Sequence, residues 1–268
     1  MQKVKIGFIG AGNMAQAIIH GMLKSGKYLP EQINLYDVDQ KKCEKLAEQG
    51  MQAAGSSQEV VKQSDIIFLA VKPQNYSEVL QGVGECVTQE KLFVSIAAGI
   101  SISYIIRELG VNCPVIRVMP NTPLLIGKGA TALCRGDHVS EEQFQCVKEI
   151  FETSGETAVL TEDKMNAVIA VNGSSPAYVY LFAKAIIDYA VSQGIDPQAA
   201  LQLTCKTLEG SAGMLQESGY TPDELIKMVS SPGGTTLKAL EALEEKGFYQ
   251  ALLEAMDRCT QRAEELGK

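Results

Sequence analysis

Apolar positions in the first half of the chain fall in short unbroken runs: "VKIGFIG" (Val4 to Gly10), "INLYDV" (Ile33 to Val38), "DIIFLAV" (Asp65 to Val71), "LFVSIA" (Leu92 to Ala97) and "PVIRVM" (Pro114 to Met119). A strand covered on both faces has no reason to alternate apolar with polar, so such runs predict parallel strands. Between them the period lengthens to that of helices, first up to about Lys24 and then through Glu48. Ser56-Ser-Gln-Glu59 has the capping-box pattern of a helix start, and Ser101 stands before "ISYIIREL". Strand–helix alternation of this kind predicts a doubly wound α/β sheet.

The alternation stops near Thr161. Beyond it the pattern is helical throughout: Glu162 to Gln193, Pro197 to Gln216, Pro222 to Met228, Thr235 to Lys246 and Phe248 to Leu266, with Gly194 and Gly219 as punctuation. The expected domains are residues 1–161, binding a dinucleotide, and residues 162–268, all-α. Within the second, "AYVYLFAKAIIDYAV" (Ala177 to Val191) is apolar nearly all round, which calls for burial from several sides. A domain this small has too little mass to bury it alone, so a subunit interface is expected.

Composition narrows the function by exclusion. The net charge of -8 has no lysine- or arginine-rich cluster against it, so neither nucleic acid nor an anionic membrane is an expected partner. Seven scattered cysteines with no Cys-x-x-Cys imply free thiols in a reducing, cytoplasmic setting. Only two histidines are present, His20 and His138, without a metal-spaced companion, so no metal is expected. The longest uncharged run, Met165 to Ala183, is interrupted by Asn172, Gly173 and Pro176, which argues against a membrane span. A strand pattern beginning at Lys3 leaves no room for a signal peptide.

Positive chemistry begins at Gly10-Ala-Gly12-Asn-Met-Ala15. Gly10 permits a tight turn, Gly12 lets backbone approach a pyrophosphate, and Ala15 lets helix and strand close together. The phosphates would rest on free N–H groups at a helix N-terminus. Asp37 follows the second strand, where a carboxylate pairs with the adenosine ribose. A 2′-phosphate about 4 Å away would meet a repulsion on the order of 4 kcal/mol at an effective dielectric near 20. That favours NADH; Lys41 and Lys42, one helical turn on, act the other way, so the expected cofactor is NADPH or NADH.

Several stretches belong together: "GFIGAGNMAQAI", "AVKPQ" (Ala70 to Gln74), "SIAAG" (Ser95 to Gly99), "RVMPNTP" (Arg117 to Pro123), "GSSPAY" (Gly173 to Tyr178) and "SSPGGTT" (Ser230 to Thr236). In this order and over the whole chain they resemble pyrroline-5-carboxylate reductase. The resemblance implies reduction of 1-pyrroline-5-carboxylate to L-proline, the last step of proline synthesis, and an N-terminal Rossmann-type doubly wound domain followed by a helical domain that joins two chains as a homodimer, with dimers often assembling further. It implies that the Pro120–Pro123 loop, presenting Asn121 and Thr122, lies near the nicotinamide, and that Glu162 faces the substrate nitrogen. A helix-start acid is the other reading of Glu162. Asn172-Gly-Ser-Ser-Pro stands where Ser-Gly-Ser-Gly-Pro is commoner. The cofactor-binding candidates are Gly10, Ala11, Gly12, Asn13, Met14, Asp37, Ser57, Ala70, Val71, Lys72, Pro73, Ala97, Ala98, Gly99 and Asn121. Lys72, extended by Pro73, would aim its ammonium outward, and the small Ala97, Ala98 and Gly99 would let the cofactor lie against backbone.

The substrate's carboxylate needs donors, and no arginine pair offers them. Gly233 and Gly234 would bare their N–H groups, and the helix starting near Thr235 would point its positive end at the same spot. Ser231 would orient the carboxylate and Thr236 would hydrogen-bond the ring nitrogen; Ser231, Gly233, Gly234, Thr235 and Thr236 form the substrate set, with Thr236 and Glu162 as catalytic candidates. Two other readings share the dinucleotide domain: a β-hydroxyacid dehydrogenase and a non-catalytic NAD(H) sensor. The first needs a glycine-framed lysine, and the second gives the SSPGGTT turn no purpose.

Overall fold

Unbroken apolar runs become strands whose alternate residues enter two separate cores. The computed structural model describes residues 4–267. Its strands are β1 (Ile6–Ile9), β2 (Ile33–Tyr36), β3 (Gln52–Ala53), β4 (Ile66–Leu69), β5 (Leu92–Ser95), β6 (Val115–Met119), β7 (Gly129–Arg135) and β8 (Gly155–Val159). They form one sheet in the order β3-β2-β1-β4-β5-β6-β7-β8, parallel except for the β6–β7 pair. Ile6 and Phe8 of β1 with Ile66 and Phe68 of β4 enter one core, while Ile9, Ile67 and Leu69 enter the other. Phe8 and Phe68 stack at 4.6 Å between ring centres.

The first core lies under α1 (Asn13–Lys24), α2 (Gln40–Ala47) and α6 (Glu141–Glu152); the second lies under α3 (Ser57–Gln63), α4 (Tyr76–Val83) and α5 (Ile102–Leu109). Helices on both faces explain why the strands show no polar side. The doubly wound sheet expected from the alternation is therefore present. Ser56 and Ser101 accept hydrogen bonds from the N–H groups of Glu59 and Tyr104, as helix caps do. Glu59 does not close the box on Ser56; its Oε2 accepts from Gly55 N at 2.7 Å. Strands β3, β7 and β8 were not foreseen. β3 is two exposed residues, and β7 and β8 extend the sheet past the point where parallel runs end.

The helical half continues with α7 (Ser175–Ser192), α8 (Pro197–Glu217), α9 (Pro222–Met228), α10 (Thr235–Glu245) and α11 (Phe248–Leu266). Its first stretch, expected as one helix from Glu162 to Gln193, is broken into a 3-10 turn (Glu162–Lys164), a π-helical turn (Ile169–Gly173) and α7. The break falls where Gly173 packs on β6: a Cβ there would come 2.4 Å from Met119 Cε. The chain divides into two compact units, Met1–Pro176 with Asp257–Lys268, and Ala177–Met256. Among the described residues, no helix is long and apolar enough to cross a membrane.

Candidate active site

The first loop leaves β1 at Gly10, whose φ of +103° lies in the left-handed region and whose Cβ would come 2.5 Å from the carbonyl oxygen of Ala70. The turn itself requires that glycine. Gly12 differs: its φ is -74° and nothing lies within 4 Å of where a Cβ would sit. Neither torsion nor packing calls for glycine there, whereas a ligand lying on the backbone would. Gly12 caps α1 with no side-chain acceptor and no acid follows in the first turn, so the N–H groups of Asn13 and Met14 are left for an anion. Ala11 and Ala15 are buried beneath the turn. A dinucleotide pyrophosphate fits this cradle.

Asp37, just past β2, is more occupied than the sequence suggested. Its Oδ2 accepts from Ala11 N at 2.8 Å, and its Oδ1 accepts from Asp39 N at 2.9 Å and from Lys42 Nζ at 3.4 Å. Burial works to raise its pKa, but those N–H groups and the ammonium outweigh it and hold the carboxyl below the ordinary aspartate value. The acid thus ties the glycine turn to β2. Ser57, first residue of α3, is half-buried.

Three more loops leave the carboxyl ends of β4, β5 and β6, where open α/β sheets bind ligands. After β4, Ala70 and Val71 are half-buried, and Lys72 is extended (φ -67°, ψ 148°) and exposed, with Pro73 opening a short 3-10 turn. This is the orientation expected of Lys72. The loop is held to its neighbour by a residue sequence reasoning missed: the buried Tyr76 hydroxyl donates to Leu69 O at 2.8 Å and lies 3.0 Å from Ser95 Oγ. After β5, Ala97 is buried and Ala98 half-buried. Gly99 has a packing reason of its own to be glycine. Its φ is +82°, and a Cβ would fall 2.3 Å from Ala263 O, so the end of α11 packs closely there.

After β6, the Asn121 side chain anchors its own loop through one atom. It is buried, its Oδ1 accepts from Ala130 N at 2.9 Å, and only Thr122 of the pair is exposed. Asn172, at the π-helical turn, holds the same place from the other side: its Nδ2 donates to Met119 O at 2.7 Å and to Ala130 O at 2.8 Å. The Asn172 Oδ1 is buried with no partner among the described residues. Arg117 lies beneath the loop, its side chain 4% exposed, donating to Asn166 Oδ1 at 2.5 Å with Glu162 Oε1 3.7 Å away. Burial lowers the Arg117 pKa and the Glu162 carboxylate opposes that. Glu162 Oε1 also accepts from Ile102 N at 2.7 Å, capping α5. It is an acid at a helix start, but the helix is α5 rather than its own. One charge inside the apolar run "PVIRVM" was the available signal for this pair; Asn172 and Tyr76 carried none.

In the other unit the SSPGGTT turn forms the N-terminus of α10. Gly233 is left-handed, with φ +71°. Gly234 is the N-cap, and its expected bare N–H is already used: it donates to Ser231 O at 2.9 Å. A Cβ on Gly234 would lie 2.6 Å from the rotatable Ser231 Oγ and 3.0 Å from Ser231 O, so Ser231 packs closely against the N-cap. The open donors are instead those of the first helical turn, at Thr235, Thr236 and Leu237, which have no partner among the described residues. Thr236 is half-buried, and Ser231 is exposed beside it.

Known proteins match both parts. A family model described as pyrroline-5-carboxylate reductase dimerisation covers residues 162–266, and one described as NADP oxidoreductase, coenzyme F420-dependent, covers residues 5–99. The pyrroline-5-carboxylate reductase of Escherichia coli (strain K12) is 43% identical over 265 residues, covering 98% of each chain. That of Methanosarcina acetivorans is 39% identical with 100% of both covered. A Plasmodium falciparum pyrroline carboxylate reductase with NADP bound superposes with a TM-score of 0.93 at 29% identity over 100% of both chains. The Streptococcus pyogenes enzyme gives 0.89 at 33% identity over 98% of each. Because this likeness runs from the glycine cradle through the SSPGGTT turn, in one order and at nearly full length, the chain belongs to the pyrroline-5-carboxylate reductase family.

Proposed function

We propose that this chain reduces 1-pyrroline-5-carboxylate to L-proline with NADPH or NADH, the last step of proline biosynthesis. The observation that carries the reading is the 43% identity to the E. coli reductase over 98% of both chains. The bound cofactor supplies a hydride to the carbon of the C=N bond. Gly10, Ala11, Gly12, Asn13 and Met14 hold its pyrophosphate, with Asp37, Ser57, Ala70, Val71, Lys72, Pro73, Ala97 and Ala98 around the rest. Gly99 and Asn121 shape this surface from behind.

The substrate's carboxylate rests on the N–H groups of Thr235, Thr236 and Leu237, with the Ser231 hydroxyl as a further donor. Hydrogen bonds to a charged group are worth roughly 1.5–3 kcal/mol each, so three reach the roughly 4–8 kcal/mol of millimolar-to-micromolar binding. The ring nitrogen arrives protonated from solvent, and its N–H donates to Thr236 Oγ1. After reduction, that nitrogen is a secondary amine carrying the same proton. No strong acid is required, in keeping with a chain of two histidines. Orientation then supplies most of the acceleration. Glu162 serves by fixing α5 and by balancing Arg117.

A homodimer through residues 162–268 fits the same reading. The dimerisation model spans that region, and no residue of α7 is buried within the single chain. A reducing, cytoplasmic setting fits seven free cysteines. The test is loss of reduced-nicotinamide absorbance when the imine is added to the purified protein. Thr236→Ala should lower kcat at least about ten-fold, by removing one charge-assisted hydrogen bond. No oxidation with either cofactor would end the proposal, and an unchanged kcat in the variant would remove Thr236 from it.

A further inference from the structure

The antiparallel register of β6 and β7 ends with Met119 opposite Ala132, and continuing it would set Ala130 opposite Asn121. Pro120, which has no N–H, turns the chain out of the sheet first. Two side-chain amides stand in for the missing backbone. Asn121 Oδ1 accepts from Ala130 N at 2.9 Å, and Asn172 Nδ2 donates to Ala130 O at 2.8 Å. Asn172 Nδ2 also donates to Met119 O at 2.7 Å, so both of its amide hydrogens are used. This contact is made under unfavourable conditions. Asn172 stands on the π-helical turn, where Ser174 N reaches back five residues to Ile169 O at 2.8 Å, a step uncommon in helices and frequent at functional sites. The residue is only 9% exposed, yet its Oδ1 has no partner among the described residues. A buried acceptor left unpaired works against stability. Two local rules broken at one side chain, whose other end grips a loop of the candidate site, point to a use beyond holding the fold together.

We infer that Asn172 is a positioning residue for the proposed reduction: it fixes the Pro120–Pro123 loop against which the nicotinamide lies, and so sets how well hydride donor and imine carbon are aligned. The inference deepens the proposed reaction and rests on it for what the loop faces. Asn172 acts through Met119 and Ala130, whose carbonyls it ties together where the ladder has run out. A loop that orients reactants affects turnover more than affinity, since a misplacement of about 1 Å can slow a reaction about a hundred-fold. Serine at this position has one hydrogen to donate and a shorter reach, so it could hold one of the two carbonyls at most. Alanine could hold neither. Either change also removes the unpaired Oδ1, so the loss of the clamp is offset in stability but not in rate.

The test compares the full-length wild type with Asn172→Ser and Asn172→Ala. Melting midpoints should agree within about 3 °C, and fluorescence titration with NADPH and NADH should give dissociation constants within about three-fold of wild type. Stopped-flow oxidation of the bound reduced cofactor by saturating 1-pyrroline-5-carboxylate should slow at least about ten-fold, with the KM for the imine changed by less than about three-fold. Amide hydrogen exchange in the free protein should quicken about ten-fold over residues 119–131 and stay as in wild type in α1 and α3. A wild type that oxidises neither cofactor on adding the imine ends the proposed reaction. The exchange measurement needs no imine and then decides the clamp by itself, unchanged exchange overturning it. With an active wild type, both variants turning over at its rate would overturn the inference. So would a midpoint lowered by more than about 6 °C with the rate of the folded fraction intact, because Asn172 would then hold the fold and not the reaction.

Discussion

Two glycines with similar roles in the sequence pattern have different physical reasons to be glycine. Gly12 has an ordinary φ of -74° and open space at its Cβ position; Gly99 has φ +82° and Ala263 O at 2.3 Å. Gly12→Ala should therefore fold normally, with stability unchanged or raised by about 0.4–1 kcal/mol, yet bind either dinucleotide about ten-fold or more weakly. Gly99→Ala should lose about 1–3 kcal/mol of unfolding free energy, because both its torsion and its neighbour resist a methyl group. Denaturant melts with and without cofactor separate the two outcomes. If Gly12→Ala binds NADP+ and NAD+ as wild type does, no ligand lies on that backbone. Both glycines were legible as small residues next to a cofactor loop. Only tertiary contact distinguished one with open space at its Cβ position from one packed against the end of α11.

At the level of elements, the loops proposed to face the ligand are held by side chains bonded back into the scaffold. Tyr76 joins the ends of β4 and β5, Asn121 and Asn172 grip Ala130 from opposite sides, and Glu162 joins Arg117 to the start of α5. Rigid loops of this kind keep the cofactor surface ready before anything binds, which is what orientation-based catalysis needs. Glu162→Gln keeps an acceptor for Ile102 N but leaves buried Arg117 without its countercharge. The carboxylate is 38% exposed, which moderates the loss to about 1–2 kcal/mol. The expected result is a lower melting midpoint with kcat reduced less than about ten-fold. A hundred-fold loss of kcat with an unshifted melt would instead mean that Glu162 acts on the substrate directly. A capping acid was one of the two sequence readings of this residue. That it caps a helix sixty positions back in the chain was beyond any local pattern.

For the molecule as a whole, the decisive surface is α7. Leu181 is 69% exposed and Tyr189 67% within one chain, on a helix whose only charges are the Lys184–Asp188 pair. Apolar area of that extent is stable only when covered, and the family's dimerisation region supplies the cover as a second copy. Leu181→Asp should weaken the dimer by about 2 kcal/mol or more if it lies in the centre of the interface. Light scattering would read this as a fall toward the 28.9 kDa chain mass on dilution, with turnover per chain falling in parallel. A wild-type protein that scatters as a monomer and still turns over would remove the dimer from the mechanism.

What one strand of letters determined here was the parallel centre of the sheet, β1, β2, β4, β5 and β6, the helices that cover it, and where in the chain the loops after those strands fall. Those depend on local torsion and on periodic burial, which are written into consecutive residues. The tertiary structure decided which donors are open and which are already used. It turned Asn121 inward, bound the Gly234 N–H to Ser231, gave Gly99 to α11, and set Lys42 against Asp37. A hydrogen bond is exclusive and its two partners can be any distance apart in sequence, so its allocation is settled only when the chain has closed on itself.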